Sequence, residues 1–409
     1  MWTFHIHPIN LIKALSMALE LAVVGVENHH WRVAVICDNL AESMKITPEK
    51  RQRIVYAALL HDIGAAANML ERQRVRILEN SAGVDLYHHA EAGYELLKDS
   101  SQLRHLAGMI RHHHDRWEGN NPSGLSGAQI PLGARMIHLA DRIALQVQSN
   151  ELIFSQNEQV EAYIEAHSGT EFDPELVEVF KKCALAESFW LDMVDQTYQG
   201  SLFSRLDVYG KMPLSLEDAL DISEIFATII DSMSEFTARH SHSVARVAAF
   251  LAELKGFSTE EVKMMRIAGL LHDIGKMAIP NNILEKPDRL SKEEIKIVRQ
   301  HTYYTYRILQ QIDGFEQIAE WAAFHHECLD GTGYPFRLNA SELSLGSRIV
   351  AVADVFVALA EDRPYSAPMK KKHLEEIMVS MVENHKLDGN VTKRLLQNFK
   401  EAVALVKNI

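Results

Sequence analysis

The sequence has little cysteine, no long apolar run and no excess of basic charge, and each shortage removes a class of protein. Its three cysteines, Cys37, Cys183 and Cys328, lie far apart and form no CxxC pair. No disulfide framework is expected, and a reducing cytoplasm suits such a chain. The nearest approach to a membrane helix, Ile9 to Val26, is broken by Lys13 and Glu20, short of the roughly 18 apolar residues a span requires. It also lacks the basic start and small-residue cleavage site of a signal peptide. It reads as the amphipathic first helix of a domain, and no membrane partner is expected. The net charge of −13 argues against a polymeric nucleic acid, which basic surface must attract. A small anion remains open to it if metals and a few cations focus positive charge locally.

Alternating β-branched runs are scarce, and proline and glycine punctuate the chain sparsely. Apolar residues recur instead at three- and four-residue spacing, as from Ser223 to Phe257 and from Lys292 to Leu309, which predicts an all-α protein. At 409 residues the chain exceeds one ordinary core, so two domains are expected, over 1–200 and 215–409.

What the chain does have is histidine, 21 residues of it, and histidine is the commonest metal ligand and a near-neutral acid–base group. In the first half stand His29, His61-Asp62, His89, His113-His114 and Asp141; in the second, His240, His272-Asp273, His301, His325-His326 and Asp354. His29 and His240 are 211 residues apart, and Asp141 and Asp354 are 213 apart. The surroundings repeat as well: ALLHDIG matches GLLHDIG, and ARMIHLADRIAL matches SRIVAVADVFVAL. The chain is a tandem duplication of one helical domain.

A single histidine on a helix is more often a hydrogen-bonded or surface residue than a ligand. An aspartate inside IVAVADVFVAL is harder to dismiss, because a buried charge is costly unless paired or bound to a metal. His and Asp without Cys make an N/O donor set suited to Fe, Mn, Co, Ni or Zn. Seven donors exceed the needs of one catalytic ion but suit two that share a carboxylate. Such pairs acidify water to hydroxide and neutralise phosphate charge during in-line attack at phosphorus.

HDIGK at 272–276, HHECLDGTGYP at 325–335 and ADVFVAL followed by DRPY within 353–365 resemble the HD-GYP branch of the HD phosphohydrolases, over about residues 225–370. Members of that family hydrolyse cyclic di-GMP and, in some cases, 3′,3′-cyclic GMP-AMP. The resemblance implies two divalent transition metals, Fe or Mn before Ni, Co or Zn. One is held by His240, His272 and Asp354, the other by His301, His325 and His326, with Asp273 bridging. It implies Lys276 at the scissile phosphate or leaving oxygen, Arg363 as a phosphate clamp, and Gly333, Tyr334 and Pro335 around the substrate. The product implied is a linear, 5′-phosphorylated dinucleotide made by a metal-bridged hydroxide. Members with a third metal carry a Glu one turn before the first His; here Phe236 stands there, with Glu235 one residue off the face, so two ions are expected. His242 competes with His240, and the repeat offset favours His240.

The first copy keeps all seven candidate donors but not the phosphate-handling groups. Ala65 replaces the lysine, HHDRWEGNNPSG replaces the GYP loop, and DRIALQVQSN follows Asp141 where DRPY is expected. It reads as a degenerate HD domain, regulatory or structural, whose donors form a second candidate cage. The tandem layout also resembles phosphodiesterases directed at 3′,3′-cyclic GMP-AMP, and a homodimer is admitted. Two alternatives stand beside this reading: an HD hydrolase of another nucleotide such as guanosine tetraphosphate, and a metal-loaded signalling module without turnover.

Overall fold

The computed structural model describes residues 6–22, 28–66, 87–148, 151–195, 198, 202, 214–233, 239–361 and 371–407. Among them every regular element is helical, and β pairing is confined to isolated bridges, as the 3.6-residue periodicity dictates. None of these helices is long and apolar enough to cross a membrane. The chain divides into two compact units, His7–Pro213 and Leu214–Ile409, the latter joined by Ile6, whose carbonyl accepts a 2.8 Å bond from the Leu214 amide.

Each unit is built on the same three-helix packing. In the second, His240–Leu254 lies against both Thr259–Leu271 and Leu345–Ala360; in the first, His29–Ser43 lies against Pro48–Leu59 and Leu132–Gln146. Serine sets several helix starts in the second unit. Ser215, Ser258 and Ser291 each accept from the backbone three residues on, while Asp218, Glu261 and Glu294 reach back to the serine amide. Such boxes contribute about 1 kcal/mol each. Phe226, Trp321, Phe356 and Ile349 are fully buried behind them, at ~1.5–3 kcal/mol per side chain. This core fixes four helix ends and one mid-helix position around a common point, which is where the repeated His and Asp residues stand.

Candidate metal centres

In the second unit the seven residues come from separate elements. His240 opens His240–Leu254, His272 and Asp273 follow Thr259–Leu271, His301 lies at the start of Gln300–Leu309, His325 and His326 follow Glu316–Ala323, and Asp354 sits inside Leu345–Ala360. All are buried except His326, which is half-buried. His240 Nε2 stands 3.1 Å and His272 Nε2 3.9 Å from Asp354 Oδ1. His272 Nε2 lies 3.2 Å from Asp273 Oδ2, while His301 Nε2 lies 3.4 Å from Asp273 Oδ1 and 3.4 Å from His325 Nε2. The two oxygens of Asp273 therefore face two different groups of imidazoles.

Backbone carbonyls fix the rings. His272, His301 and His325 each donate Nδ1–H to the carbonyl three residues before, Gly269, Val298 and Ala322, at 2.7 Å. A carbonyl only accepts, so the proton is on Nδ1 and Nε2 presents a lone pair to the cluster. His272 Nε2 is buried without a hydrogen-bond partner. Burial pushes His301 down to about 3 and holds His325 and His326 low, so these rings stay neutral donors. Burial also disfavours charge on His240, but hydrogen bonds to Asp354 and Glu361 outweigh it and raise this group to about 10. Asp273 and Asp354 are deeply buried yet held well below the carboxylate range by the cations and imidazoles around them. A buried pair of carboxylates, faced by the inward Nε2 atoms of His272, His301 and His325, calls for positive charge beyond that of His240, so the residues fit divalent ions.

Lys276 answers part of that demand. Its Nζ stands 2.6 Å from Asp273 Oδ2, carried there by the short 3-10 turn Ile274–Ala278. Burial opposes its charge, and Asp273 more than restores it. A cavity of about 420 Å³ opens onto His240, Asp273, Lys276, His326 and Asp354, with an apolar wall that includes Ile230 and Leu284. Lys286, which the sequence reading missed, adds a second cation to its rim and pairs with Glu294 at 2.8 Å.

The GYP turn works one layer out. Glu327, buried, accepts from the amides of Phe336, Arg337 and Leu338 at 2.7–3.1 Å. Gly333 has no room for a side chain because Glu327 and Cys328 backbone occupies it. Tyr334 packs its ring 5.0 Å from that of His326 and takes the Arg299 guanidinium over its face at 4.9 Å. The glycine thus permits approach of protein backbone; Tyr334 packs on His326, and Gly333, Tyr334 and Pro335 are not among the residues lining the cavity. His242 turns away to Asp231 at 2.9 Å and Glu224 at 3.0 Å, leaving His240 in the cluster. Glu361, which pattern did not flag, accepts from His240 Nδ1 at 3.2 Å. Arg363, Glu235 and Phe236 lie outside the described residues.

The HD turn is held by contact with the His301 helix. Gly275 N donates to Thr305 Oγ1 at 3.1 Å, and Thr305 Oγ1 donates to the His272 carbonyl at 2.9 Å. A Cβ on Gly275 would collide with the His301 carbonyl. Gly275→Ala should therefore destabilise the protein by ~1–3 kcal/mol, the usual cost of overpacking, read as a lower urea midpoint by circular dichroism. An unchanged midpoint would show that the turn has slack.

The first unit repeats the cluster with different neighbours. Asp62 Oδ2 faces His61 at 3.2 Å and Oδ1 faces His89 at 3.4 Å, while His29 Nε2 lies 3.1 Å from Asp141 Oδ1. His114 and His113 close on His89, Nε2 to Nε2, at 2.9 and 3.3 Å.

Comparison with known proteins agrees with this duplication. The HD domain family matches residues 224–391 and, separately, residues 26–145. The chain is 31% identical over 403 residues to the 3′3′-cGAMP-specific phosphodiesterase 1 of Vibrio cholerae, covering 96% of this chain and 93% of that one. Over 154 residues it is 42% identical to a cyclic di-GMP phosphodiesterase of Thermotoga maritima, covering 36% of this chain and 41% of that one. The crystal structure of a cyclic GMP-AMP specific phosphodiesterase from V. cholerae superposes with a TM-score of 0.65 over 99% of this chain and 98% of its own, at 24% identity. That likeness concerns the fold.

Proposed function

The chain belongs to the HD-GYP family of HD-domain cyclic dinucleotide phosphodiesterases, and from that premise we propose that it opens 3′,3′-cyclic GMP-AMP, cyclic di-GMP or both to a linear dinucleotide ending in a 5′-phosphate. The observation that carries the reading is Lys276 Nζ at 2.6 Å from Asp273, on the floor of a cavity that also reaches His240, His326 and Asp354. The catalytic unit spans 215–409, and 1–200 is a regulatory or structural unit.

Two divalent ions, Fe or Mn, would be held by His240, His272 and Asp354 and by His301, His325 and His326, with Asp273 between them. Such ions supply an acidified water and neutralise phosphate charge. The chain's own residues do the rest. The carbonyl-anchored Nδ1 protons of His272, His301 and His325 keep three rings oriented, so the cage is set before substrate arrives. Lys276, charged and adjacent to Asp273, is placed to hold a phosphate oxygen and to give a proton to the departing 3′ oxygen. Ile230, Met233 and Leu284 offer an apolar wall for a base. The cavity lies within the ~300–1,000 Å³ range of small-molecule sites, which suits a nucleotide rather than a polymer, in keeping with the net charge of −13. The chain acts in the cytoplasm, where such messengers are made and its unpaired cysteines stay reduced.

The test is product analysis by mass-resolved chromatography with Mn- and Fe-loaded protein. Cyclic GMP-AMP, cyclic di-GMP and guanosine tetraphosphate are supplied side by side. At least one cyclic dinucleotide should yield a 5′-phosphorylated linear product while guanosine tetraphosphate persists. Turnover of guanosine tetraphosphate alone would transfer the site to the alternative hydrolase class.

A further inference from the structure

We infer that the first unit is itself a two-metal protein whose site retains ions without hydrolysing phosphodiesters, and that His30 is the residue that sets it apart. The donors fall into two sets around one carboxylate. His29, His61 and Asp62 offer atoms within 4.8 Å of one another, and so do His89, His113 and His114. Asp62 turns Oδ2 to the first set and Oδ1 to the second. Every one of these residues, with Asp141, is at most 6% exposed. His61 and His113 donate Nδ1–H to the carbonyls of Ala58 and Ile110 at 2.7 and 2.6 Å, so in the neutral ring Nε2 is the lone-pair nitrogen. His29 Nε2 and His61 Nε2 are buried and face carboxylate oxygens of Asp141 and Asp62 at 3.1 and 3.2 Å in strained geometry.

Without a cation this arrangement is unfavourable. The Nε2 atoms of His113 and His114 stand 3.3 and 2.9 Å from that of His89, too many nitrogens for the protons that neutral rings can share; a buried polar atom left without a partner costs ~1–3 kcal/mol. A divalent ion satisfies all of them at once. The geometry thus points to binding, and the neighbours point away from phosphate chemistry. On Asp273, Oδ2 also meets the charged Lys276, whose side chain is 23% exposed. On Asp62 the same oxygen meets His30 Nε2 at 3.4 Å, and His30 is 1% exposed. Ala65 stands in the lysine's place. Asp141 Oδ2 is further engaged by Arg142 at 2.7 Å, where Val355 follows Asp354 in the other unit. A rigid buried imidazole adds a nitrogen beside the cage; a lysine that lines a cavity reaches a substrate.

The experiment is metal counting on the full chain by plasma mass spectrometry, after anaerobic reconstitution with Mn and removal of loose ions. Wild-type protein should hold about four ions, two per cage. Asp62→Ala should hold about half as many and keep its cyclic dinucleotide turnover. Asp273→Ala should also hold about half and show no turnover. His30→Ala should keep its fold by circular dichroism and release the first-unit ions ~10–100-fold more readily to a chelator, the usual effect of losing a supporting group at a metal site. A wild-type content of about two ions, or an Asp62→Ala content equal to wild type, overturns the inference. The wild-type count does so even if a variant fails to fold.

Discussion

Asp273→Ala protein should lose cyclic dinucleotide hydrolysis by ~10³-fold or more, equivalent to ~4 kcal/mol of transition-state stabilisation, and the His272→Ala/Asp273→Ala pair should be no worse than inactive. The reason lies in the two faces of this carboxylate: Oδ2 meets His272 and Lys276, and Oδ1 meets His301. No other side chain in the cage touches both imidazole groups and the lysine. Its removal withdraws a ligand from both candidate ions and leaves the Lys276 ammonium, half of a buried pair, without its partner. Such a loss costs ~3–5 kcal/mol when the remaining charge stays buried, so the variant's fold must be checked by circular dichroism. Asp62→Ala is the matched control, since it removes the corresponding carboxylate from the other unit. A folded Asp273→Ala enzyme that still turned over substrate would remove the second-unit cage from the mechanism.

How much of this was legible beforehand depends on the kind of residue. The candidate donors were legible because duplication printed them twice: His240, His272, Asp273, His301, His325, His326 and Asp354 recur at offsets of 211–213 from the first-half set, and in the structure both sets converge. Helical periodicity carried the fold for the same reason, as every described element with regular structure is helical. Residues that act across long sequence separations were not legible. Glu361 reaches His240 from 121 positions away, Lys286 joins the cavity rim from a separate turn, and Glu327 organises the GYP turn by accepting three backbone amides. None follows a period or a motif spacing that pattern alone can read. The glycine of GYP was readable as a close-approach residue, but not what approaches it; the neighbour is the backbone of Glu327 and Cys328. His30 was hidden differently. The lysine's absence at Ala65 was plain, yet the imidazole on the same carboxylate oxygen comes from another helix, His29–Ser43.

Lys276→Ala should lower kcat by ~10²–10³-fold with little change in metal content, which separates it from every ligand substitution. The lysine touches Asp273 but is not needed to orient it, since His272 and His301 already face the two carboxylate oxygens. Losing it removes a cation that faces the cavity and, on the proposed mechanism, the charge for the phosphate and the proton for the leaving oxygen. Groups that act in this way contribute ~10²–10⁴-fold each. A loss expressed in kcat and kcat/KM together marks an interaction made in the transition state; a rise in KM alone would reduce Lys276 to substrate binding. Lys276→Arg should recover little, because a broad guanidinium fork cannot occupy the compact site of an ammonium 2.6 Å from one oxygen. The reciprocal change, Ala65→Lys in the first unit, should create no activity. Ala65 is fully buried, and His30 already occupies the Asp62 oxygen the new ammonium would need. Activity gained by Ala65→Lys would mean that the lysine alone separates the two cages, and His30 would then be a bystander.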